Sequence, residues 1–152
     1  MTSTKVLDRA AIQRAIPHRD PFLFLDAIVE VTDESLVAEW RVPESAEFFR
    51  GHYPGNPVTP GVILCEHVFQ AAAILLAERG VSFDPKDGVP VLARIEKAKF
   101  RRMVRPGERV RTTVRVAEIV GPAYYLEGRA QVDDAVAIEL RFALTHGGRP
   151  RK

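Results

Sequence analysis

The chain has 152 residues, 46% of them hydrophobic and 28% charged. That fits one globular domain over residues 1–152 with a core of its own, and excludes a disordered chain. The net charge of +2 conceals a basic stretch, residues 94–115, with nine basic side chains against two acidic, so that the remainder sums to −5. Such a stretch can steer an acidic partner, or be no more than a solvated strand face.

A single cysteine, Cys65, leaves no internal disulfide framework and no cysteine-rich zinc site. The opening five residues hold no apolar segment of a secretory signal, so the expected compartment is the cytoplasm. Residues 62–77 form the longest apolar run, interrupted by Glu66, His67 and Gln70. It reads as too short and too polar for the ~20 apolar residues of a membrane span. Neither a membrane nor a nucleic-acid partner is expected.

In chain order, residues 8–15 predict a short helix stopped ahead of Pro17. Residues 22–31 and 36–42, rich in β-branched and aromatic side chains, predict two strands. A loop follows over 43–59, with Gly51, Pro54, Gly55 and Pro57 in its second half. Thr59 as N-cap and Pro60 at the first helical position predict a helix running to about Arg79 and stopped by Gly80. This helix is apolar on nearly every side, so it is buried.

A loop with Pro85 and Gly88 leads to strands at 91–100, 109–120, 124–132 and 136–145. Alternation is clearest at Val110, Thr112, Val114 and Val116. Short links at 105–107, 121–122 and 133–134 predict hairpins and an antiparallel sheet. The basic tail, 146–152, reads as frayed. The architecture is α+β: one long buried helix and five or six strands. Either the sheet curls around that helix or a second copy of the chain covers what the sheet leaves open.

The chemistry-bearing residues gather at the helix entrance. Glu66 stands on a buried helix, where burial disfavours the anion and favours a carboxylic acid able to donate a proton. A carboxylate satisfied by a loop backbone or an arginine is the structural alternative. His52 lies in Gly51-His52-Tyr53-Pro54-Gly55, a loop of few conformations, and imidazole is the usual base near neutral pH. The first amides of the helix, at Gly61 with Gly51 as a second donor, could hold an oxyanion. Base, acid and oxyanion donors together suit proton chemistry beside a carbonyl. Metal binding is disfavoured, because Glu66 and His67 point about 100° apart on a helix and His18 and His146 form no cluster. No phosphate loop, nucleophile elbow or dinucleotide fingerprint occurs. Cys65 reads as packing.

Three blocks give the sequence a family resemblance. Residues 16–22, Ile-Pro-His-Arg-Asp-Pro-Phe, with Asp26 after them, resemble the N-terminal motif of the FabZ-type 3-hydroxyacyl-[acyl-carrier-protein] dehydratases. Residues 48–57 and Pro60-Gly61-Val62 resemble the catalytic loop of that family, with Glu66 and Gln70 where its helix carries glutamate and glutamine. Residues 93–102 and 106–108 resemble a third block, and the similarity spans about 16–145.

The resemblance implies a hot-dog fold, a central helix wrapped by a curled antiparallel sheet and paired into a homodimer or a trimer of such dimers. It implies His52 as base and Glu66 of the partner chain as acid, 14 positions apart in sequence. The substrate would be a (3R)-hydroxyacyl thioester on the phosphopantetheine arm of acyl carrier protein. Gly61, Gly51, Val62, Phe69 and Gln70 would bind it, and no metal or other cofactor would be needed; on charge alone, Lys97, Lys99, Arg101 and Arg102 are candidates to dock the acidic carrier. His67, Phe69, Tyr53, Met103 and Asp134 depart from the family pattern; Phe69 could shorten the acyl tunnel. Rival readings are a hot-dog thioesterase or hydratase acting on coenzyme A thioesters, and a non-catalytic carrier-binding module.

Overall fold

The computed structural model describes residues 5–82, 86 and 90–146. The segment with Pro85 and Gly88 and the tail from residue 147 lie outside the described residues.

Helix α1, Arg9–Ala15, begins where Asp8 Oδ1 accepts the Ala11 N–H at 2.8 Å and ends at Ile16, one residue before Pro17. Strands β1 (Ala27–Val31) and β2 (Ser35–Arg41) form a hairpin. A 3-10 turn at Glu47–Arg50, which no sequence signal announced, precedes the long helix α2, Gly61–Glu78. Strands β3 (Pro90–Phe100), β4 (Arg109–Val120), β5 (Ala123–Val132) and β6 (Ala135–His146) complete a six-stranded antiparallel sheet in the order β1-β2-β4-β5-β6-β3.

The hairpins expected at 121–122 and 133–134 form, but the one expected at 105–107 does not. β3 pairs with β6, so residues 101–108 carry the chain from one edge of the sheet back to its middle. That crossing is held by backbone bonds: Arg101 N–H to Ala137 O and Thr59 N–H to Val104 O. The turn at Pro106-Gly107 is real, with Gly107 at φ 81, but it closes on Val42 rather than on β3.

The alternation in β4 becomes burial of Val110, Thr112 and Val114 and exposure of Arg109, Arg111, Thr113 and Arg115. α2 lies across that inner face, against β2, β4, β5, β6 and β3. It comes so close to β5 that a Cβ on Gly128 would sit 2.3 Å from Val68 Cγ1; glycine is what lets helix and strand approach. Contrary to the expectation from its length and polar residues, α2 is long and apolar enough to cross a bilayer; in this fold it is the core helix, 67% buried.

Two local expectations are corrected. The first strand starts at Ala27, not Phe22, because side chains of α2 rather than a neighbouring strand bond the backbone of residues 22–24. Helix α2 starts at Gly61 with Pro60 as N-cap. The Thr59 hydroxyl is buried without a partner among the described residues instead of capping the helix, while its N–H bonds Val104 O.

Helix and sheet do not bury everything. Val62, Glu66 and Phe69, spaced along one stripe of α2, stay partly or wholly open, and Val62 is 74% exposed. Strand β3, the sheet edge, exposes every residue from Val91 to Phe100, including Val91, Leu92, Ile95 and Phe100.

Candidate active site

The loop ahead of α2 is built to hold one imidazole. Tyr53 takes a left-handed backbone (φ 55), Gly55 follows at φ 88, and the Asn56 N–H closes onto Tyr53 O. His52 is half-buried, packs edge-on against Tyr53, and its Nδ1 lies 2.7 Å from Val58 O. A carbonyl can only accept, so Nδ1 carries the hydrogen and Nε2 keeps a free lone pair. His52 thus has the tautomer a general base requires.

That ring borders a cavity of about 480 Å³ whose wall includes Tyr53, Val58, Gly61, Leu64, Phe100 and Met103. Among the described residues no side chain caps α2 at its start, and the first-turn amides at Gly61 and Val62 have no partner at the positive end of the helix dipole. A Cβ on Gly61 would meet the Phe100 ring at 2.8 Å, so the absent side chain lets β3 close over the helix start. Gly51 does not line this cavity, and its N–H makes a long bond to Phe48 O.

Glu66 is not part of the cavity wall within one chain. It stands on the open stripe of α2, its side chain 24% exposed. Its Oε1 accepts from Gln70 Nε2 at 3.1 Å and faces His18 Nε2 at 3.6 Å, while Oε2 has no partner among the described residues. Only folding brings His18, 48 positions away in sequence, to Glu66.

The other two polar residues of the buried helix serve structure. Gln70 Oε1 accepts the Phe24 N–H at 2.8 Å and its Nε2 donates to Phe22 O at 2.9 Å, so one amide stands in for a strand partner. His67 is fully buried and stacks on Trp40. Its Nδ1 donates to Phe24 O at 2.6 Å, and its Nε2 accepts from the Thr112 hydroxyl at 2.7 Å. Burial pushes its pKa down to about 4, against smaller raising effects of the Phe24 bond and of Asp26. Phe69 packs edge-on against Phe142, and burial pushes the Cys65 thiol up to about 11, that of an unreactive group.

Of the basic residues, Arg102 makes a two-pronged pair with Glu108 and Arg101 pairs with Glu139. Lys97 and Lys99 are exposed and have no ion pair among the described residues. No group of three or more metal-ligating side chains occurs among the described residues.

A curled antiparallel sheet around one core helix, with an uncapped helix start beside a fixed histidine, defines a hot-dog domain. Solved structures agree on the fold. A dehydratase heterocomplex, ApeI:P, from Xenorhabdus doucetiae superposes with a TM-score of 0.76 at 16% identity, covering 91% of each chain. A hypothetical thioesterase with coenzyme A from Streptococcus pneumoniae gives 0.63 at 11% identity, over 91% of this chain and 93% of that one. Sequence is more discriminating: the FabA-like domain matches residues 16–141. A 3-hydroxyacyl-[acyl-carrier-protein] dehydratase FabZ from Koribacter versatilis is 42% identical over 97% of this chain and 94% of its own. Its namesake from Coxiella burnetii is 34% identical over 93% and 99%. The chain belongs to the FabA-like family.

Proposed function

We propose that this protein is an enzyme that removes water from (3R)-hydroxyacyl chains on acyl carrier protein, giving trans-2-enoyl thioesters in fatty acid or related acyl-chain synthesis. The observation that carries the reading is the 2.7 Å contact of His52 Nδ1 with Val58 O, which leaves Nε2 as the acceptor beside a cavity at the helix start. FabZ-type relatives matching nearly the whole chain support the same reaction.

The thioester carbonyl would rest on the free amides at Gly61 and Val62, with Gly51 a weaker candidate. That contact acidifies C2 by stabilising the enolate oxygen. His52 Nε2 takes the C2 proton. Glu66 gives its proton to the C3 hydroxyl, the C3–O bond breaks, water leaves and the C2–C3 double bond forms. His52 is then protonated and Glu66 ionised, and one proton passing between them through solvent resets the pair. Positioned acid–base groups contribute about 10²- to 10⁴-fold.

Since His52 and Glu66 open to different surroundings in one chain, the reading needs a second copy, with Glu66 of one protomer facing His52 of the other. The uncovered stripe of α2 and the edge strand β3, with Val91, Leu92, Ile95 and Phe100 exposed, favour such a homodimer, and a trimer of dimers remains compatible with it. Lys97 and Lys99, with Arg101 and Arg102 beside them, suit docking of an acidic carrier. Phe69 and Gln70 would border the acyl chain. No metal or resident cofactor takes part in these steps, and the cytoplasm is the compartment in which we expect them.

Mass spectrometry of 3-hydroxyacyl carrier incubated with the protein tests the reading. Loss of water is expected; release of free acid indicates a thioesterase, and binding without turnover a carrier-binding module. His52→Ala and Glu66→Gln should each abolish water loss with fold and dimer intact, and activity retained in both removes the assignment.

A further inference from the structure

His18 is the one half-buried titratable group beside the acid that the steps above leave idle. Its side chain is 28% exposed, its Nε2 is 3.6 Å from Glu66 Oε1, and its Nδ1 is buried without a partner among the described residues. A neutral imidazole has one N–H to place. On Nδ1 it would be an orphan, and the Nε2 lone pair would oppose the lone pairs of Oε1; on Nε2 it points at an acceptor. Gln70 Nε2 donates to Oε1 from along the helix, His18 Nε2 faces the same oxygen from 3.6 Å, longer than a hydrogen bond, and Oε2 is left bare among the described residues.

We propose that His18 is a positioning residue for Glu66: its Nε2–H, turned towards Oε1 beside the Gln70 donor, closes on that oxygen as charge develops, so that the transferable proton sits on Oε2 and the carboxylate left behind is stabilised. This rests on the dehydratase reading and assigns His18 no proton transfer of its own. Burial lowers the His18 pKa, against the raising pull of Glu66 and with a smaller lowering by Arg19, so the ring is neutral at pH 7. The other groups facing the pair are few. The Arg19 guanidinium is occupied by the carbonyls of Gln13, Ile16 and His18, and the neighbouring Cys65 stays a thiol.

The sign of the pH effect follows. Removing a donor from the carboxylate makes Glu66 a weaker acid that stays protonated to higher pH. His18→Leu should lower kcat for water loss by about ten- to a hundredfold, the range of a hydrogen bond to a charged group, with KM within about twofold. The alkaline limb of the kcat profile should move to higher pH. His18→Gln, which keeps an N–H donor, should recover much of the loss. An unmoved limb, or equal losses in both variants, would make His18 mere packing and overturn the proposal. Nitrogen NMR of the wild-type imidazole supplies a check that does not depend on a folded variant: the Nε2–H tautomer is expected, and Nδ1–H overturns it. A wild-type protein that removes no water sinks the dehydratase reading and this one with it; an active wild type with an indifferent His18→Leu sinks this one alone.

Discussion

Acid should weaken this fold through its buried histidines, His67 above all. His67 is sealed between Trp40, Phe24 and Thr112 with both ring nitrogens engaged, Nδ1 as donor and Nε2 as acceptor. Charging the ring requires a hydrogen on Nε2, which turns the Thr112 contact around and places a cation among apolar side chains. The pKa falls from 6.5 to about 4, chiefly by burial. The unfolded chain binds this proton below about pH 6.5 and the folded chain only near pH 4, so the stabilisation is complete above 6.5 and drains away as pH falls towards 4. At about 1.4 kcal/mol per unit, the loss sums to about 3 kcal/mol. Urea unfolding at fixed protein concentration between pH 7.5 and pH 4 would measure it in the wild type and in a His67→Leu, Thr112→Val double variant. The variant starts weaker, because Phe24 O loses a donor, but its stability should fall with pH by about 3 kcal/mol less than that of the wild type. Parallel slopes would mean that the folded protein accepts the charge, and the reasoning from burial would fail.

Two further substitutions probe the same packing. Gly128→Ala puts a methyl 2.3 Å from Val68 Cγ1 and should destabilise by about 1–3 kcal/mol in thermal or urea melts, whereas Val68→Ala in the same chain should return part of that loss. Unchanged melting would show that α2 can lift off β5 freely. Gln70→Leu strands the Phe24 N–H and the Phe22 carbonyl and should cost about 2–4 kcal/mol, with faster exchange of the Phe24 amide as its local mark.

What could be read beforehand was whatever local periodicity decides. The alternation of Val110, Thr112 and Val114 and the unbroken apolar run of α2 placed strand and core helix within a residue or two. Pairing was less legible. Pro106-Gly107 is a turn by its own chemistry, but nothing local distinguishes a turn that folds β3 onto β4 from one inside a crossing segment. The choice is made by distant bonds such as Thr59 N–H to Val104 O. Phe22 to Leu25 has the composition of a strand and is instead tied to a glutamine side chain, which no propensity anticipates. His18 lay within the residues that carried the family resemblance, yet its contact with Glu66 exists only in three dimensions.

Glu66, His67 and Gln70 pose one question, why a buried helix tolerates three polar side chains, and helical geometry answers it. Positions 66 and 67 lie about 100° apart, whereas 66 and 70 lie one above the other. His67 therefore turns inward, where only a fully paired neutral ring is tolerated, and it finds Phe24 O and Thr112. Glu66 turns to the open stripe, where a carboxyl keeps access to water. Gln70, stacked beneath it, is the link: its carbonyl oxygen takes the Phe24 N–H and its amide nitrogen divides its hydrogens between Phe22 O and Glu66 Oε1. Gln70, which fastens segment 22–24 to the core, is thereby also the residue that holds Glu66 Oε1, the oxygen of the proposed acid. If so, Gln70→Leu should slow water loss by more than its stability cost explains, at temperatures where the variant is still fully folded. A variant that is destabilised but fully active would separate the two roles that this geometry joins.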